Sequence, residues 1–174
     1  MHIQTHLMSG WCVANTLELT PRERLLAMIA ASAADLDGLG LLVSMEHYTE
    51  YHHVIGHNLL AGIVLTSVLT AFSVHRARAC VLYFGLFHLH LVMDYWGSGP
   101  GWGVAYGWPF FGGEFLNENA WHLTSWQNFL AGGFLLVWMI RIAWCRGRTP
   151  LEVILPSLDG QIAASIRARR SESR

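Results

Sequence analysis

Imidazoles and carboxylates interrupt the apolar stretches of this chain at three places. His52, His53 and His57 stand within residues 51–58, and His90 and Asp94 within residues 88–94. Asp35 and Asp37 end an earlier apolar run. The chain has four aspartates, and three of them belong to this set. Such groups are costly where lipid or core is expected, so their placement suggests a metal site. His90 and Asp94 are four apart and share one face of a helix. They could reach one metal, or one metal each of a close pair; a hydrogen bond between them along the helix is the competing explanation. His52 and His57 are five apart, off phase for one straight helix, and Gly56 puts His52 in a loop and His57 at a helix start. There the helix dipole disfavours imidazolium and preserves the neutral, ligating ring. His53 reads as a polar interfacial residue, with a supporting role behind the ligands as the alternative. Asp35 and Asp37 leave a helix end on different sides, so one can bridge two metals while the other ligates or orients a histidine. His6 joins as a ligand near the start of the chain. His88 reads as a core histidine, and Glu114, Glu118 and His122 on a later loop are each set aside.

The elements that must carry these groups belong to a membrane protein. Of 174 residues, 53% are apolar and 13% charged, and eight are Trp. The mean hydropathy is +0.34. This balance leans away from a soluble domain. The net charge of -1 gives no support for a nucleic-acid partner. Uncharged runs cover 58–74, 79–93 and 126–140, each near the length of a span once flanking residues are added. A shorter run covers 25–36, and a weakly apolar one covers 7–19. Thr20, Pro21 and Glu23 form a helix start, with Thr as cap, Pro at the first position and Glu at the third. The expected fold is all-α, an integral membrane bundle of about five helices. Cys12, Cys80 and Cys145 are widely spaced and read as small apolar packers. Residues 1–10 do not read as a secretory signal peptide.

All eleven basic residues are Arg. They cluster before the second helix, between the third and fourth, after the fifth and in the tail, and none falls in 38–57 or 95–125. The positive-inside rule then puts the Arg-bearing ends in the cytoplasm. That topology sends His6, Asp35, Asp37, His52, His57, His90 and Asp94 to the outer face of a multi-pass inner-membrane protein. Four separate segments deliver ligand-type side chains to one side. The Gly- and aromatic-rich segment 95–125 reads as a long ordered outer loop, either an interfacial aromatic belt or a lid over a substrate. Residues 1–148 read as the membrane domain and 149–174 as a basic cytoplasmic tail with a surface-lying helix.

Seven mixed His and Asp candidates without Cys exceed the needs of one tetrahedral ion. They fit two divalent metals, with Zn²⁺ first and Mn²⁺ or Fe²⁺ as alternatives. In order along the chain stand Thr5-His6, Ala34-Asp35-Leu36-Asp37, His52 through His57, His90 through Asp94, and Trp108-Pro109-Phe110. This ordered set, over roughly residues 1–130, resembles the bacterial membrane-bound metal-dependent hydrolases, a family related to zinc-dependent phospholipase C and P1 nuclease. The resemblance implies an all-helical fold and hydrolysis of phosphoesters. It assigns metal roles to His6, Asp35, Asp37, His52, His57, His90 and Asp94. The chain departs from the pattern at Ala34, where Pro is usual, at His53, where Arg is common, and at Asn58, where Ser is common. A late His-x-x-x-Glu pair for a third metal is also missing, which leaves metal number and substrate open.

The expected function is therefore a membrane-embedded hydrolase acting on a small-molecule, lipid or lipid-linked phosphoester through metal-activated water, with Asp35 and Asp37 as the catalytic carboxylates. The runner-up is a non-catalytic membrane metal-binding or transport protein. Transport wants ligands continuing across the bilayer, and only His75 stands at the inner end. A haem carrier is third, because it wants paired axial histidines inside helices and not carboxylates. Membrane lipid is the expected partner, and the sequence leaves oligomeric state open.

Overall fold

The computed structural model describes residues 1–172. These fold into seven α-helices and two 3-10 stretches, with no β-strand among the described residues. The α-helices are α1 (Ile3–Ala14), α2 (Pro21–Ser32), α3 (Met45–Tyr51), α4 (Leu59–Ala71), α5 (Arg76–Gly97), α6 (Trp126–Arg146) and α7 (Pro156–Glu172). The 3-10 stretches are Ala33–Leu42, which continues α2, and Pro150–Val153. Three segments are long and apolar enough to cross a membrane: Pro21–Leu42, Arg76–Gly97 and Trp126–Arg146. The outward face of α6 exposes Phe129, Leu130, Phe134, Val137 and Ile140, which in water would be a large unprotected apolar patch.

Local chemistry sets the helix ends. The Thr20 hydroxyl accepts from the Glu23 N–H at 3.2 Å, and the Glu23 carboxylate accepts from the Thr20 N–H at 2.8 Å. This reciprocal cap satisfies two orphan donors at the start of α2. Asn58 caps α4, its Oδ1 accepting from the Ala61 N–H at 2.8 Å. Gly147 closes α6 in the left-handed conformation, at φ 63°.

Small residues set the packing. Ala27, Ala30 and Ala31 of α2 are buried in one core with Ala14, Leu82, Tyr83 and Leu86. Without a hydrophobic effect between helices in lipid, close backbone approach carries the association. Gly10 on α1 makes it possible. A Cβ there would stand 2.7 Å from the Ala27 carbonyl oxygen and 2.8 Å from the Met28 Cα.

Two sets of contacts show that the helix ends segregate. The His90 ring bonds the Ala31 carbonyl at one end of α2, while the His75 N–H bonds Glu23 at the other. The Arg-bearing end is closed by Glu152, which pairs with the buried Arg24 at 2.5 and 2.6 Å and accepts from Trp11 Nε1 at 3.1 Å. The 3-10 stretch Pro150–Val153 is thus docked onto the bundle, and α7 follows as a helix of the tail. The loop 98–125 is tied down as well. Its Ala105 N–H donates to His53 O at 3.2 Å, and its Trp121 Nε1 donates to Asn128 of α6 at 2.8 Å.

The expectation of about five helices misses α3 inside the segment read as outer loop. No α3 residue is buried, so no apolar stripe announces it. The first helix starts at Ile3 and not Leu7. Its polar residues Thr5, His6 and Ser9 face inward, where a hydropathy reading does not look for them.

Candidate metal centre

Four residues from three parts of the chain converge at the end of the bundle opposite the arginines. Asp35 comes from the 3-10 turn after α2, His57 from the residue before the α4 cap, and His90 and Asp94 from adjacent turns of α5. One ligand atom of each lies within 4.8 Å of all the others. His57, His90 and Asp94 are almost completely buried, and Asp35 is 16% exposed.

The ring orientations identify what this cluster can hold. His90 Nδ1 is 2.8 Å from the Ala31 carbonyl oxygen, which can only accept, so Nδ1 carries the proton. His57 Nδ1 donates to Asp37 Oδ2 at 2.8 Å. Each neutral ring therefore turns a bare Nε2 inward, and these two atoms are 3.0 Å apart. Asp94 Oδ2 sits 3.3 Å from one and 2.9 Å from the other, and Asp35 Oδ1 is 3.9 and 3.7 Å away. Facing lone pairs flanked by two carboxylates repel unless a proton or a cation lies among them. Burial alone would lower the His57 pKa, but its bonds to Asp37 and Asp94 outweigh that and push it up to about 9. Proton and metal therefore compete for one place. Two imidazoles and two carboxylates form a donor set that could hold a metal ion.

The remaining sequence-derived candidates arrange themselves around this core. Asp37 lies outside the four-residue cluster and orients its neighbours. Its Oδ1 accepts from His52 Nδ1 at 2.7 Å. Its Oδ2 accepts from the His53 and Gly56 N–H groups at 3.1 and 3.0 Å as well as from His57. His52 is likewise outside the cluster, with its ring centroid 5.6 Å from that of His57. His6 is fully buried on the opposite side of Asp94, its Nε2 3.1 Å from Oδ1. The Met1 amine also contacts Asp94. Asp94 thus presents one oxygen to His57 and His90 and the other to His6. Gly56 lets the 52–57 loop close: a Cβ there would stand 2.2 Å from the Ala34 carbonyl oxygen.

A cavity of about 370 Å³ opens onto Asp35 and Asp94 and is walled by Tyr48, His52, His53 and Trp102. His122 also lines it, whereas His88 bonds Phe84 O and the Tyr106 hydroxyl away from the site. Sequence reasoning left His53 as an interfacial residue, but it is 2% exposed. Burial and the neighbouring His57 charge pull its pKa down to about 3. Nothing in residue type marks its left-handed backbone, and Trp102 was one aromatic among many in its loop. A larger groove of about 610 Å³ between α1 and α5 has almost wholly apolar walls and no ligating group.

The family model described as YdjM inner membrane protein matches residues 1–159, and the chain belongs to that family. Neither the curated proteins nor the solved structures contain a match. These comparisons give no support for a relationship to phospholipase C or P1 nuclease.

Proposed function

We propose that this member of the YdjM inner membrane protein family is a multi-pass, metal-dependent hydrolase that cleaves a phosphoester at the outer face of the membrane. One observation carries the reading: two buried histidines, each tied down through Nδ1, aim their Nε2 atoms at each other beside two carboxylates. Asp35, His57, His90 and Asp94 would hold a first divalent cation, zinc by preference. His6, beside the far oxygen of Asp94, would help to hold a second divalent ion. Bound there, a divalent cation supplies Lewis acidity toward water and toward the phosphoryl oxygens.

The chain's own groups divide the remaining work. Asp35 is the one partly exposed member of the cluster and faces the cavity, which suits it to orient the attacking water and accept its proton. Asp37 keeps His57 in the ligating tautomer and fixes the His52 ring. The cavity adjoins the membrane end of the bundle, so a lipid or lipid-linked phosphoester could present its headgroup there. The arginine distribution supports placing this end outside.

Elemental analysis of detergent-purified protein, paired with a phosphodiesterase and phosphomonoesterase screen, tests the reading. Metal bound at or above one ion per chain, with turnover lost in His90→Ala and Asp94→Ala, is expected. Metal without turnover on any phosphoester would favour a non-catalytic metal-binding protein. Undiminished metal in both variants would remove the site altogether.

A further inference from the structure

The cavity beside the cluster has an anionic floor and a neutral wall. Asp35 and Asp94 form the floor, where the Met1 amine pairs with Asp94. The wall residues Tyr48, His53 and Trp102 carry hydrogen-bond donors, and no Arg lines the cavity. The chain contains no Lys.

His53 is the most constrained of these. Its N–H donates to Asp37 Oδ2 at 3.1 Å, and its carbonyl accepts from the Ala105 N–H at 3.2 Å. Between those bonds its backbone sits at φ 67°, the left-handed region that non-glycine residues rarely adopt. The ring stacks on His57 at 4.3 Å between centroids and lies 5.6 Å from Trp102. Nδ1 is sealed off with no partner, whereas Nε2 is not sealed and has no hydrogen-bond partner among the described residues. A neutral imidazole always carries one N–H. Placing that proton on Nδ1 would bury an orphan donor, which is costly, so it belongs on Nε2, toward the cavity. Trp102 Nε1, which can only donate, is likewise without a hydrogen-bond partner among the described residues. An unusual backbone conformation, fixed from both sides, thus holds a free donor over a floor of two carboxylates, one of them paired with the Met1 amine.

We infer that His53 and Trp102 form an uncharged donor pair that binds the phosphoryl oxygens left free by the metal, a role that rests on the hydrolase reading above. The Met1 amine offsets one floor carboxylate and a divalent cation would offset the rest, and His53 and Trp102 then meet the anion without adding a charge of their own. The alternative is that His53 merely props the His57 ring by stacking.

Inorganic phosphate is the probe, titrated by calorimetry into the zinc-loaded, detergent-solubilised chain. His53→Gly removes the ring and tolerates the left-handed backbone. His53→Asn tolerates it too and restores an N–H donor. Trp102→Phe keeps the ring and removes the N–H. Zinc per chain stays unchanged in all three variants. The phosphate Kd rises about tenfold or more in His53→Gly, the scale of a hydrogen bond to a charged group. It rises several-fold in Trp102→Phe and recovers most of the loss in His53→Asn. Phosphate binding unchanged in zinc-loaded His53→Gly overturns the inference and leaves the metal reading standing. Zinc lost from His53→Gly also overturns it and makes His53 a prop for His57. A wild-type chain that takes up no zinc removes the hydrolase reading and this role together.

Discussion

Replacing Asp37 by Asn separates a residue that orients ligands from one that is itself a ligand. All four partners of the Asp37 carboxylate donate to it: His52 Nδ1, His57 Nδ1 and the N–H groups of His53 and Gly56. Asn has nearly the same shape but offers one accepting oxygen and one donating NH₂. Keeping the oxygen at the position of Oδ2 retains three of these bonds and turns the NH₂ against the His52 N–H. The bond to His57 survives, but with a neutral acceptor. Losing that charge assistance costs about 1–1.5 kcal/mol, the gap between charged and neutral hydrogen bonds. That is about tenfold in affinity, and displacement of His52 adds to it. The expected loss of zinc affinity is about 10–100-fold, the range for supporting partners of metal-binding histidines. Competition against a chromophoric chelator reads the affinity, and elemental analysis at saturating zinc reads the stoichiometry. Asp37→Asn should reach the same stoichiometry as wild type at higher zinc. Wild-type affinity would show that the carboxylate does not hold His57. A variant that takes up no zinc even at saturation would place Asp37 among the ligands and refute the geometry described above.

Zinc affinity should depend steeply on pH. In the metal-free protein His57 holds its proton up to about pH 9, so metal binding must expel it. Affinity then falls about tenfold per pH unit as pH drops below 9, and the same raised pKa makes the metal-free fold lose a stabilising charge as pH rises through 9. A zinc affinity that is flat between pH 7 and 9 would contradict this. At the opposite end, Glu152→Ala leaves Arg24, 2% exposed, without its carboxylate and should destabilise the full chain by about 3–5 kcal/mol. Thermal unfolding in detergent measures it, and a midpoint within a degree of wild type would mean that the segment beyond 148 is only loosely held. Gly10→Ala should cost about 1–3 kcal/mol by pushing α1 off α2. Because His6 rides on α1, its contact with Asp94 should loosen too, and unchanged stability by the same assay would show that the two helices adjust freely.

The sites most legible in the sequence were those where a polar group violates a pattern. His90 and Asp94 inside an apolar helix, and Asp35 and Asp37 at the end of another, announce themselves because lipid and core do not tolerate idle charge. Thr20-Pro21-Glu23 marks a real helix start for an equally local reason, since capping is a short-range hydrogen-bond problem. The arginine distribution ordered the helix ends without any coordinates. By contrast, α3 exposes all its faces, and His53 takes its importance from a backbone angle. Neither leaves a trace in hydropathy or residue type.

Which carboxylate joins the cluster and which lies outside it was beyond reach of spacing, because Asp35 and Asp37 are two residues apart on a turn whose pitch changes from α-helical to 3-10 after Ser32. That change of pitch turns Asp35 toward His57 and His90 and tucks Asp37 behind the 52–57 loop. The residue types and their order along the chain pointed to a His and Asp group that could hold a metal ion at one end of a helical membrane bundle. Only the packed helices decided its geometry, because the Ala31 carbonyl and the Asp37 carboxylate fix the ring tautomers, and both reach their histidines solely through contacts between distant segments.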